Sequence, residues 1–176
     1  MKKILLLVSV VAFSMSIVSC GGKKEEEEIK APDGMRVVDL SKYGKPVTIF
    51  VPDSTQGSLE INEQPGGVLQ IKVGKQYDIL MKEGAEDIAF KKADLGNDDV
   101  YKIKQFFVDE PSAIAWEWAI GDLPSEFHFI CVQKAENNAY TFEDNRNSDG
   151  SPFSKSAIEK MLESSKTIKS IKKKEE

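Results

Sequence analysis

The chain has 176 residues, 30% of them charged and 40% hydrophobic, and a formal charge of −5. That size suits one domain with short appendages, and the acidic balance excludes the basic footprint of a nucleic-acid binder. Two cysteines and one histidine exclude a disulfide-rich scaffold and a histidine-rich zinc site.

In chain order, Lys2 and Lys3 come first. Ile4 to Val18 is then almost wholly apolar, broken only by Ser9, Ser14 and Ser16, and Ile17-Val18-Ser19-Cys20 closes the run. A basic front, a short apolar core and small residues before a cysteine make a secretory signal too short to span a bilayer comfortably. The last four residues resemble the lipobox of bacterial lipoproteins, with Ile17 where leucine is commoner. The resemblance implies cleavage between Ser19 and Cys20, a diacylglycerol thioether on Cys20, and acylation of the new amino terminus. Residues 1–19 are then the signal peptide, and the membrane is a partner through the lipid on Cys20. Each buried methylene adds about 0.8 kcal/mol, so several acyl chains anchor stably. The bland alternative is an ordinary cleaved signal followed by a chance cysteine.

Residues 20–34 read as a flexible acidic tether. Gly21, Gly22, Lys23 and Lys24 precede Glu25 to Glu28, and such a composition buries no apolar area. Like charges in a row extend the chain. The block is similar to the acidic export signal behind the cysteine in surface lipoproteins of Bacteroidetes-type bacteria. That likeness implies the cell envelope, the outer membrane, and exposure on its outer leaflet. Otherwise the block is a spacer.

A single domain is expected over 35–171, with a charged tail at 172–176. Val37 to Leu40 reads as an edge strand, Gly44-Lys45-Pro46 as a turn, and Val47 to Val51 as a strand ended by Pro52-Asp53. Leu59 to Ile61 is a short strand, and Pro65-Gly66-Gly67 a turn. Val68 to Val73 alternates, Gly74-Lys75 signals a two-residue hairpin, and Tyr77 to Met81 returns. Between Gly84 and Asn97, Ala85, Ile88, Ala89, Lys92 and Leu95 share one helical face, with Gly96 at the exit.

Strands resume from Tyr101 to Val108, Ala113 to Ile120, Glu126 to Gln133 and Ala139 to Glu143, as an antiparallel meander. Ile114, Trp116, Trp118 and Ile120 point one way; Ala113, Ala115, Glu117 and Ala119 point the other. Strand 126–133 is apolar on both faces and so needs cover on both. The last element is a helix. Ser156 and Glu159 have capping-box spacing, with Ser151-Pro152 or Ser154 as earlier starts, and Ile158, Met161, Leu162, Ser165 and Ile168 form its inward stripe. The fold class is α+β: a curved antiparallel sheet packed against an internal helix and a C-terminal helix. The element order resembles the PsbP-like fold, which implies such a sheet between helices. The whole chain also resembles small uncharacterised surface lipoproteins of Bacteroidetes-type bacteria, a class that implies location and no activity.

No motif carries catalysis, so the expectation is a non-enzymatic binding or structural component with no cofactor, no metal and no catalytic residue. His128 sits between Phe127 and Phe129 without a nucleophile elbow. Cys131 reads as a small buried hydrophobe. Asp144-Asn145-Arg146-Asn147-Ser148-Asp149-Gly150 has calcium-loop composition but lacks a glutamate at the twelfth place, and reads as a turn-rich connector. The alternative function is a carboxylate-dependent extracytoplasmic hydrolase built on Glu110, Glu117 and Asp122. Trp116 and Trp118 are the candidate partner-binding residues. They offer a stacking surface to a glycan or protein, or else form core under a helix, the commoner fate of paired tryptophans.

Overall fold

The computed structural model describes residues 30–146 and 150–171. The signal segment, Cys20, Glu25 to Glu28, the middle of the 144–150 connector and the 172–176 tail lie outside the described residues. Two antiparallel sheets and two helices make an α+β structure weighted towards strand.

The first sheet joins β1 (Met35–Asp39) to β2 (Val47–Pro52). The chain turns through a single 3-10 turn at Ser41–Tyr43 and then Gly44, whose φ of 71° favours a residue without a Cβ. Next come β3 (Leu59–Gln64), β4 (Val68–Val73) and β5 (Tyr77–Glu83), an antiparallel meander. The β4–β5 hairpin corrects the two-residue expectation. Val73 pairs with Tyr77, so Gly74, Lys75 and Gln76 form a three-residue turn. A Cβ on Gly74 would lie 2.2 Å from the Gln56 carbonyl oxygen, and one on Gly57 would lie 2.5 Å from Gly74 Cα. The turn therefore needs glycine because another loop's backbone lies against it.

The connection from β5 carries α1 (Ile88–Gly96), capped by Asp87, which accepts from Phe90 N–H at 3.0 Å. Its buried stripe is narrower than expected. Ile88 and Leu95 are buried, whereas Ala85 precedes the helix and Ala89 is exposed. Then β6 (Lys102–Glu110), β7 (Ala113–Ala119), β8 (Glu126–Ala135) and β9 (Asn138–Asp144) form the expected second meander. Strand β7 stops one residue short of Ile120, which is exposed. Pairing of β5 with β9 fuses the two meanders into one seven-stranded sheet, in the order β3-β4-β5-β9-β8-β7-β6.

The last helix, α2 (Lys155–Ser165), starts at Ser154, whose Oγ accepts from Ala157 N–H at 3.2 Å. Of the starts left open by the sequence, Ser154 is therefore the cap, and Ser156 with Glu159 makes no capping box. The helix also ends earlier than its apolar stripe implied. Ile168 is buried from beyond the helix, just before β10 (Lys169–Ser170), which pairs with β2. The expectation of one sheet is thus corrected to two, because β1 and β2 recruit the chain end rather than the meander.

Neighbouring residues of β7 and β8 separate into two apolar clusters. Ala113, Ala115, Phe129 and Cys131 join a large core with Leu40, Val51, Ile71, Ile79, Phe142 and the α2 residues Ile158, Met161 and Leu162. Ile114, Trp116 and Ile130 join a smaller core with Ile88 and Leu95 of α1. Alternation along a strand means that these clusters occupy opposite faces of the same sheet. Helix α2 touches β2, β5, β8 and β9, while α1 touches β6, β7 and β8.

Candidate functional site

The side chains with chemistry gather on the α1 face. His128 and Trp116 are cross-strand partners, as are Glu126 and Trp118. The His128 ring lies 4.6 Å from that of Trp118 at 62°, and 5.7 Å from that of Trp116 at 33°. Tyr101 stacks on Trp118 at 4.2 Å, and Trp118 Nε1 donates to Glu126 Oε2 at 3.4 Å.

Asp144 fixes the histidine. Its Oδ2 lies 2.8 Å from His128 Nδ1, and its Oδ1 accepts from Phe129 N–H at 2.8 Å. Its side chain is 4% exposed. The other ring nitrogen, Nε2, is 3.4 Å from Glu126 Oε2 but off line for a hydrogen bond, and so is buried without a hydrogen-bond partner among the described residues. Trp116 Nε1 is in the same condition.

A polar row continues from this cluster across the same face. Asn145, next to Asp144, donates from Nδ2 to Asp78 Oδ1 at 3.4 Å, and Gln70 Nε2 lies 2.9 Å from each Asp78 oxygen. Gln64 Nε2 and Asn62 Nδ2 in turn donate to Gln70 Oε1. Burial raises Asp78 above the ordinary carboxylate range, against the hydrogen bonds from Gln70 and Asn145.

Three cavities are described. The largest, about 490 Å³, lies between the β4–β5 turn and the start of α2, beside Lys75, Tyr77, Ser156 and Lys160. A second, of about 140 Å³, is lined by Lys91, Leu95, Trp116, Trp118, His128 and Asp144, among others. A third, about 70 Å³, touches the other side of His128 beside Arg146 and Phe153. Size favours the first, but the second collects both tryptophans, the single histidine and a buried carboxylate, so chemistry favours it.

Trp116 lies in the core beneath α1, and Trp118 is half-buried between Tyr101 and His128. Glu110 is exposed and pairs with Lys166 at 3.1 Å. Glu117 bonds Gln105 at 2.8 Å, and hydrogen bonds from Gln105 and Ser125 hold it below the usual range. Asp122 is exposed in the β7–β8 loop, and these three acids line none of the three cavities. Cys131 is fully buried in the large core, and burial pushes its thiol up, so it is a poor nucleophile. Among the described residues, no group of three or more His, Cys, Asp or Glu is placed to hold a metal ion, and no helix is long and apolar enough to cross a membrane.

Sequence reasoning assigned Asp144 to the connector and missed its place at His128. A signal existed. The β8–β9 turn consists of Glu136 and Asn137 alone, since Ala135 pairs with Asn138. Counting back from a two-residue turn sets Asp144 beside Phe129, within reach of His128. Taking Asn138 into the turn hides that register. No family model, curated protein or solved structure matches the chain.

Proposed function

We propose that this protein is a lipid-anchored component of the cell envelope that works by binding, with its recognition site on the α1 face of the large sheet. The anchor reading rests on Ile17-Val18-Ser19-Cys20 behind a basic, apolar leader. The acidic block Glu25 to Glu28 supports the outer membrane and its outer leaflet as the destination. The PsbP-like likeness and the curvature of the sheet belong to the same proposal and rest on element order alone.

The observation that carries the binding reading is the setting of His128. Asp144 and Glu126 flank its two ring nitrogens, and the rings of Trp116 and Trp118 pack against it, a setting that suits holding a partner. Glu110, Glu117 and Asp122 line none of the three cavities, which supports a binder over a carboxylate-dependent hydrolase, since the latter needs two acids facing one bond.

The test of the anchor is Cys20→Ser. The variant is expected to take up no labelled palmitate and to leave the membrane fraction. Continued labelling and membrane association would overturn the lipoprotein reading.

A further inference from the structure

The largest of the three cavities, about 490 Å³, falls within the roughly 300–1,000 Å³ that small-molecule sites occupy. It differs from the other two in the charge of its lining. The cavity beside Trp116 sets Lys91 against Glu143 and Asp144, and the one beside Phe153 sets Arg146 against Glu126 and Asp144. The largest is lined by Lys75 and Lys160, with no aspartate or glutamate among its described lining residues. The chain as a whole carries −5, so this hollow runs against the overall charge. Walls of one sign focus the field into a cleft and concentrate the opposite ion there.

The two cations are exposed, and neither has an ion-pair or hydrogen-bond partner among the described residues. The acids next to the lining in sequence are engaged elsewhere. Asp53 accepts from Thr55 N–H at 2.9 Å, Asp78 is held by Gln70 and Asn145, and Glu159 lies 3.9 Å from Lys155. Ser156 and Lys160 are four residues apart on α2, which sets them on one helical face. Lys75 sits in the β4–β5 turn. The close approach of the Gly57 and Gly74 backbones holds that turn against the loop carrying Gln56.

The remaining lining supplies a donor and an apolar floor. The Ser154 and Ser156 hydroxyls lie 3.1 Å apart, and the bond between them uses one of their two protons. The other proton has no acceptor among the described residues. Val73, Tyr77 and Ala157 are buried beneath this rim. The Tyr77 hydroxyl is 2.6 Å from Ser164 Oγ, so it is already engaged in the core.

Two ammonium groups and a hydroxyl proton call for several acceptor atoms and more than one negative charge. A carboxylate brings a single charge. A phosphate monoester brings about −1.5 to −2 at neutral pH and three acceptor oxygens. We infer that this cavity binds a small organic phosphate monoester, with its dianionic head between Lys75 and Lys160 and its apolar body against Val73 and Tyr77. The inference goes beyond the α1-face reading and depends on neither that site nor the anchor.

The test titrates the full chain, in a non-ionic detergent and phosphate-free buffer, with phenyl phosphate. Phenol and benzoate serve as the uncharged and singly charged comparisons. Backbone amide signals of Lys75 and Ser156 report on this cavity. Phenyl phosphate is expected to shift both saturably and to bind about tenfold more tightly than either comparison. Lys75→Gln and Lys160→Gln should each weaken it about fivefold, the upper end for an exposed ion pair, and the double variant should lose more. These side chains are exposed, so their exchange leaves the fold intact. Lys134→Gln, on β8 and outside the cavity, should change nothing. Absence of a saturable shift would overturn the proposal. So would equal affinity for phenol or benzoate, or unchanged affinity in the double variant.

Discussion

The two faces of the large sheet are built on different terms. On the α2 face, a chain of hydrogen bonds links polar groups carried into the core. Tyr77 Oη is 2.6 Å from Ser164 Oγ, Ser164 Oγ donates to the Phe50 carbonyl, and Phe50 N–H donates to Thr167 Oγ1 at 2.9 Å. Burial keeps the Tyr77 hydroxyl un-ionised, well above the usual tyrosine range. On the α1 face the apolar cluster is small and borders a cavity, and among the described residues Trp116 Nε1 and His128 Nε2 are buried without hydrogen-bond partners, as are Arg36 Nε and Nη2 on β1. Leaving such atoms unpaired costs about 1–3 kcal/mol each. The larger apolar cluster places most of the stability on the α2 face, and the proposed recognition site lies on the other.

The strongest way to break this contrast is to remove α2. Deleting the chain from Ser154 onward is expected to abolish cooperative melting, because Ala157, Ile158, Met161 and Leu162 are all buried in the large core and a domain of this size holds only about 5–15 kcal/mol. Within α2, Met161→Ala should cost about 2–5 kcal/mol. Leu95→Ala on α1 should fall near the lower end of that range, since Leu95 already borders a cavity. Thermal melts of the two variants measure the difference. Equal losses would erase the distinction between the faces.

A smaller effect isolates the polar latch between α2 and β2. Ser164→Ala strips one partner from Tyr77 Oη and one from the Phe50 carbonyl. The expected loss is about 1–3 kcal/mol. An unchanged denaturation midpoint would show that these groups are satisfied elsewhere.

The smallest effect is on pH dependence. Asp78, 3% exposed at one end of the amide row, titrates above the ordinary aspartate value of 3.8 because of its burial. The folded state therefore binds this proton more tightly than the unfolded chain does. The resulting stabilisation is fully present below 3.8 and is lost as pH rises through the raised folded value. Asp78→Asn should flatten that part of the melting-temperature profile. A profile parallel to that of the parent chain would contradict the shift.

The contrast between faces was partly legible in the sequence. Alternation from Ala113 to Ala119 separated the tryptophan side from the alanine side correctly, because period-two patterning survives folding wherever both faces are buried. The apolar run around Phe129 likewise announced cover on both faces. The pairing of β5 with β9 was not legible, because strands far apart in sequence carry no local mark of their partner. The exit from α2 was misread because Ile168 keeps helical spacing after Ser165, while its burial comes from the return to β2. At the site, Trp116 and Trp118 were named and His128 was weighed. Their meeting with Asp144 depended on the length of a single turn.

The most direct measurement follows the one imidazole of the chain. Long-range proton–nitrogen correlation of His128, in the unliganded full chain at a pH where the ring is neutral, identifies which nitrogen carries the proton. The proton is expected on Nδ1, held by Asp144 at 2.8 Å. A proton found on Nε2 would mean that Asp144 does not set the ring, which would contradict the site geometry on which the proposed recognition face rests.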